Sequence, residues 1–208
     1  MLKIAALFIA LSGMFFNSQP DPVQPTNFDE ATKVIIDPTK STLRWDGYKV
    51  TGQHHGSVAI ESGELIFDGG QLKSGRFVMD MPSIEVHDLE GEYRTKLENH
   101  LKSDDFFGVA SHPKATFEID KAIPYGTTGL YKVEGQLTIK KITKPIKFEA
   151  QVDHKNGVMT ATADIQIDRS EYNVRYGSGS FFDNLGDKTI YDEFDIKVKL
   201  VGNAETAN

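Results

Sequence analysis

From Lys114 to Leu200 the chain repeats one pattern, in which apolar and polar residues change places at every step. Ala115, Phe117 and Ile119 alternate with Thr116, Glu118 and Asp120. The same holds for Val133, Gly135, Leu137 and Ile139, for Ile146, Phe148, Ala150 and Val152, for Met159, Ala161, Ala163, Ile165 and Ile167, and for Phe194, Ile196, Val198 and Leu200. Successive side chains of a strand point to opposite faces, so each run has one apolar and one charged face. Earlier and less regular strands are expected at 42–50 around Trp45, 57–61, 64–68 and 72–86. Asp68-Gly69-Gly70, Tyr125-Gly126 and Lys155-Asn156-Gly157 supply turn chemistry between runs, which predicts hairpins and antiparallel pairing. Eight or nine such strands form a sandwich or close into a barrel. Runs of about 11 residues span roughly 35 Å, a length that favours closure, although periodicity alone does not separate the two.

One segment departs from the strand pattern. After Met81-Pro82-Ser83-Ile84 the chain turns helical near Glu92, with Tyr93, Leu97 and Leu101 spaced by four and so expected on one face. The paired Phe106 and Phe107 give that face an aromatic end. The run His100-Leu101-Lys102-Ser103-Asp104-Asp105-Phe106-Phe107 is specific. With Pro113 leading into Ala115-Thr116-Phe117, Leu137 to Pro145 and Ile165 to Tyr172, the chain resembles the YceI-like family of polyisoprenoid-binding proteins over about 36–202. The resemblance implies an all-β fold: an extended antiparallel lipocalin-like barrel of about eight strands with one or two short covering helices.

At 208 residues the chain suits one domain with extensions. Met1-Leu2-Lys3 precedes an apolar run from Ile4 to Phe16, too short to span a bilayer and suited to a secretory signal peptide. The expected divisions are a signal peptide over 1–18, a proline-bearing linker over 19–32, the barrel over 33–202 and a tail over 203–208, in a periplasmic or secreted protein. The formal net charge of −7 argues against nucleic acid and against electrostatic docking on anionic lipid. The absence of cysteine removes disulfides, thiolate catalysis and a lipoprotein anchor.

Small inward positions, Ala115, Gly135, Ala150, Ala161 and Ala163, stand beside large ones. They either leave volume for a ligand or let strands approach closely. The resemblance implies the former, a tunnel for an isoprenoid or other long-chain lipid lined by Phe77, Met79, Met81, Leu101, Phe106, Phe117, Leu137, Phe148, Ala161, Ala163, Ile165 and Ile167. Neither a cofactor, a metal, a nucleic-acid partner nor stable membrane insertion is expected.

No constellation for catalysis stands out. His54 and His55 are adjacent and would face opposite sides of a strand. Ser103-Asp104-Asp105 suits helix capping better than acid–base work. No His-Glu-x-x-His or Gly-x-Ser-x-Gly occurs. A binding protein without turnover is therefore expected, with an enzyme acting on a lipid-like substrate or a filled structural barrel as alternatives. Period two carries Arg169 onto the inner face at the end of its strand. There it is expected to grip a headgroup with help from Arg175, or to pair with a carboxylate such as Glu171 or Asp183. The aromatic segment from Glu171 to Thr189 is a candidate lid, or an ordinary packed loop.

Overall fold

A computed structural model describes residues 31–155 and 157–205. The signal peptide expected over 1–18 lies outside the described residues. The strands are β1 (Thr32–Ile36), β2 (Thr42–Lys49), β3 (Gly52–Asp68), β4 (Gln71–Val86), β5 (Lys114–Pro124), β6 (Leu130–Ile139), β7 (Ile142–Lys155), β8 (Val158–Asp168) and β9 (Ile190–Ala204). One α-helix, α1 (Gly91–Lys102), lies between β4 and β5, and a 3-10 turn, Arg169–Tyr172, follows β8. All pairings are antiparallel.

The sheet closes on itself. Its order is β1-β3-β2-β9-β8-β7-β6-β5-β4, and the β3–β4 pairing joins the ends. β1 and β2 share one place in the ring: β2 pairs with the first part of β3, and β1 with the last part, at Val34↔Leu65. Among the described residues the result is an eight-position closed barrel with one α-helix, in which no long strand edge is left for aggregation. β1 begins at Thr32, β9 runs on to Ala204, and the Glu205 N–H donates to the Lys33 carbonyl. The sheet thus takes in the last linker residue and the first tail residues.

One strand runs further than its sequence suggests. The strands expected at 57–61 and 64–68 are one strand, β3, of 17 residues. Register shifts between Ser57 and Ala59 and between Ile60 and Ser62 break its alternation, which is what bulges do. Pro82 sits inside β4, at the first of these shifts. The Ser83 hydroxyl takes the Ala59 N–H and donates to the Asp80 carbonyl, so the sheet closes around a residue that has no N–H to give.

The two barrel ends differ. At one end, the hairpins β3–β4, β5–β6 and β7–β8 turn over a packed plug of Val34, Phe67, Leu72 and Met159, each 2 % exposed or less. There the Leu72 N–H donates to the Tyr131 hydroxyl. At the other end lie α1, the Lys140-Lys141 turn and the 169–189 segment. α1 is tied down by Glu98, whose Oε1 accepts from the Val86 N–H at 2.9 Å and from Arg94 Nε at 2.8 Å. These bonds hold the Glu98 carboxyl below its ordinary range, Arg94 contributing most. The helix stops at Ser103, whose hydroxyl donates to the His100 carbonyl. The capping expected at Ser103 is therefore at a C-terminus, and the Phe106 N–H turns back onto the Ser103 carbonyl.

The turn between β6 and β7 is unusual in composition. Lys140 and Lys141 both have positive φ, 50° and 63°, where glycine or asparagine is the usual choice. The Lys140 ammonium donates to the carbonyls of Phe106 at 2.9 Å and Asn173 at 3.2 Å. One side chain thus fastens the helix exit and the end of β8 to the hairpin.

Candidate functional site: an apolar cavity with one mouth

A cavity of about 350 Å³ occupies the barrel between the plug and the helical end. All twelve residues expected to line a tunnel lie on its wall: Phe77, Met79, Met81, Leu101, Phe106, Phe117, Leu137, Phe148, Ala161, Ala163, Ile165 and Ile167. The size falls in the range of small-molecule sites, roughly 300–1,000 Å³. Phe148, Ile165, Ile196 and Val198 point inward yet keep partial exposure, as side chains facing a void do.

The small inward residues divide into two kinds. Ala115, Ala150, Ala161 and Ala163 line the cavity. Gly135 does not. A Cβ there would meet the Phe117 ring at 2.7 Å and the Glu118 carbonyl closer still, so this glycine lets an aromatic ring lie against the backbone. Phe117 in turn packs 5.4 Å from Phe148 and 6.4 Å from Phe77, ring centre to ring centre.

At the helical end Leu97, Leu101, Phe106 and Phe107 complete the wall. Tyr93, expected on the same helical face, is 75 % exposed and lies beneath the Lys96 ammonium instead. His100 sits between Phe106, at 5.6 Å, and Tyr176, at 4.3 Å, so the helix end is anchored by aromatic contact. His54 and His55 divide as their spacing requires. His54 reaches the cavity wall and meets Asp88 Oδ2 at 2.8 Å, while the Asp88 Oδ1 accepts the His55 N–H. Burial would raise the Asp88 carboxyl, but the His55 N–H and the His54 ring bring it below its ordinary value.

Arg169 is inward and 3 % exposed, and three of its donors are taken by backbone carbonyls. Nε donates to the Tyr191 carbonyl at 3.1 Å, Nη1 to Val174 at 2.8 Å and Nη2 to Ile190 at 3.0 Å. Nη2 also stands 3.2 Å from Asp192 Oδ1, an ion pair whose angle falls outside that of a hydrogen bond. The guanidinium lies over Phe106 at 5.3 Å. Three of the five N–H groups of its fixed fork are thus taken by carbonyls, and Asp192 meets its charge. Of the two roles expected of Arg169, the carboxylate pairing is present, with Asp192 in place of Glu171 or Asp183. Arg175 is exposed on the outer side, bonded to Asn173 and stacked on Phe181 at 4.8 Å. The two arginines do not converge.

Sequence reasoning missed two polar atoms of the wall. Trp45 Nε1 and His100 Nε2 are buried without a protein partner. Trp45 is the only tryptophan, on a strand that faces the barrel, and a buried indole N–H that finds no partner is uncommon. No group of three His, Asp or Glu side chains among the described residues is placed to hold a metal ion. No helix among them is long and apolar enough to cross a membrane.

A closed antiparallel barrel with an apolar interior, plugged at one end and helix-covered at the other, defines a lipocalin-like protein. The YceI-like domain model matches residues 35–202, and the chain belongs to that family. A UPF0312 protein of Vibrio parahaemolyticus is 30 % identical over 130 residues, which are 59 % of this chain and 64 % of that one. Another, of Pectobacterium atrosepticum, is 36 % identical over 55 residues, 26 % of this chain and 28 % of its own. The chain thus spans less than two thirds of the curated relatives it matches. Among solved structures, Burkholderia cenocepacia BcnA superposes with a TM-score of 0.66 at 24 % identity, covering 80 % of this chain and 98 % of that one. A polyisoprenoid binding domain from Saccharophagus degradans superposes with a TM-score of 0.61 at 14 % identity, covering 83 % and 98 %. At these identities the two structures establish the fold.

Proposed function

We propose that this protein is an exported carrier that encloses the tail of an isoprenoid or similar long-chain lipid, without turnover. The observation that carries the proposal is the cavity of about 350 Å³, walled almost wholly by apolar side chains. Filling it with hydrocarbon removes apolar surface from water and restores the contacts that an empty wall lacks. Met79 and Met81 on that wall are unbranched and polarizable, so they adapt to a chain whose shape is not fixed. The family match and the polyisoprenoid binding domain among the structural relatives support the choice of ligand class. Trp45 Nε1 and His100 Nε2 offer the wall's unpartnered polar contacts, where an oxygen of the ligand would be received. Export follows from the signal-peptide pattern at Ile4 to Phe16.

The test is mass spectrometry of lipid extracted from protein purified from its native cell without detergent. A long-chain lipid in near-stoichiometric amount is expected, and N-terminal sequencing should begin after Phe16. Protein that carries no lipid, and takes up neither a prenyl alcohol nor a prenyl diphosphate when offered them, overturns the proposal.

A further inference from the structure

The segment that crosses the helical end is built inside out. Ser178 is fully buried, while Phe181 and Phe182, three and four residues on, are 39 % and 49 % exposed. The inversion is held in place rather than loose. The Ser178 and Ser180 hydroxyls both donate to Asp192 Oδ2, at 2.9 and 2.6 Å. The N–H groups of Phe181 and Phe182 return to the Ser178 carbonyl, and Asp192 is itself paired with buried Arg169. The polar groups that would ordinarily face water are therefore spent on fixing a tip whose aromatic side chains face it. Tyr176 and Tyr191 are likewise about half exposed. The patch is continuous with the cavity, because Tyr176 covers His100 of the wall and Tyr191 belongs to the wall.

We propose that this aromatic rim docks the mouth of the barrel on a lipid bilayer surface. Tyrosine suits the boundary between headgroups and acyl chains, with one end of its ring apolar and the other wet, and phenylalanine inserts on the apolar side of that boundary. Arg175, stacked on Phe181, and Lys188 stand within the same segment and can meet phosphate oxygens at that depth. Asp183 and Asp187 stand there too, so the rim is close to neutral and its attachment is apolar rather than electrostatic. A second protein is the poorer fit. Four half-exposed aromatic side chains present roughly 400 Å², about half of the ~800 Å² that each partner of a stable complex buries. The docking rests on the lipid-carrier function only in that it gives the mouth a source of ligand, and it is measured separately.

Purified protein is mixed with phosphatidylcholine vesicles, with and without phosphatidylglycerol, and sedimented at about 0.1 M and about 1 M salt. Co-sedimentation with both compositions and at both salt levels is expected. Phe181→Ser with Phe182→Ser should lower vesicle partitioning at least about tenfold, with melting temperature and retained lipid unchanged. Ile123→Ser with Val158→Ser, both exposed at the opposite, plugged end, should leave partitioning unchanged. Absence of wild-type binding, equal loss in the control, or binding abolished by high salt overturns the proposal. So does a wild-type dimer that the double variant makes monomeric, which assigns the patch to a second copy. Retained lipid with no vesicle binding refutes the docking alone.

Discussion

Ala161→Phe separates a ligand cavity from a filled core. Ala161 is central on β8, pairs with Val152 and Leu200, and is 7 % exposed. Its methyl group looks into a void of about 350 Å³. A benzene ring fits an engineered cavity of ~150 Å³, so a phenyl group here takes a little under half of the space. What remains is too small for a long chain beside it. In a filled core the same change costs about 1–3 kcal/mol, which for a domain of this size lowers Tm by ~2–4 °C per kcal/mol. In a void the ring finds partners and Tm holds or rises. Both proteins must be stripped of lipid before melting, because a bound ligand stabilises by mass action. The expected result is a delipidated variant within ~2 °C of wild type that recovers little lipid from cells. A drop of several degrees, or lipid retained at the wild-type level, refutes the assignment of Ala161 to a ligand wall.

Arg169→Gln should cost about 3–5 kcal/mol, because it leaves the largely buried Asp192 without its cation and frees three carbonyls; binding of a prenyl diphosphate and a prenyl alcohol should then fall alike, and a loss confined to the diphosphate in a fully folded variant would assign the headgroup role to this residue. Gly135→Ala forces its methyl group onto Phe117 and the Glu118 carbonyl, so denaturant unfolding should show a loss of about 1–3 kcal/mol, and an unchanged midpoint would contradict the close approach. Asp88→Asn should destabilise at neutral pH by about 1.5–3 kcal/mol through weaker acceptance from His55 and His54. Because the folded-state pKa of Asp88 is lowered, its contribution is present above about pH 3.9 and is lost as pH falls through the folded value; the gap between wild type and variant should therefore close in acid, and a gap constant with pH would show that the charge is not involved.

The barrel was legible where a strand keeps strict alternation, as β6 and β8 do throughout and β5 and β9 do over 114–119 and 194–200, because the two faces of a sheet are written directly as period two. It was obscured where bulges interrupt that period, which is why β3 reads as two strands although it is one. The cavity wall followed from the same alternation, but volume did not. Gly135 and Ala161 carry the same signal, and only the Phe117 ring, placed by another strand, decides that one is packed and the other open. Arg169 shows the limit most clearly. Its position was legible to the residue, while its partners, the carbonyls of Ile190 and Tyr191 and the carboxylate of Asp192, stand 21 to 23 residues further along the chain. The Lys140-Lys141 turn left no mark either, because the interactions that hold it come from Phe106 and Asn173, which are 33 or more residues away.

The plug of Val34, Phe67, Leu72 and Met159 makes the barrel a dead end. Nothing passes through it. On the proposed carrier function, a chain enters tail first and backs out by the same route, so the part that went in last is the first to emerge. Whatever removes the cargo must approach the face that received it, and loading and unloading cannot proceed at once. Donor and acceptor therefore compete for one doorway, and the direction of traffic is set by which of them is the better solvent for the chain.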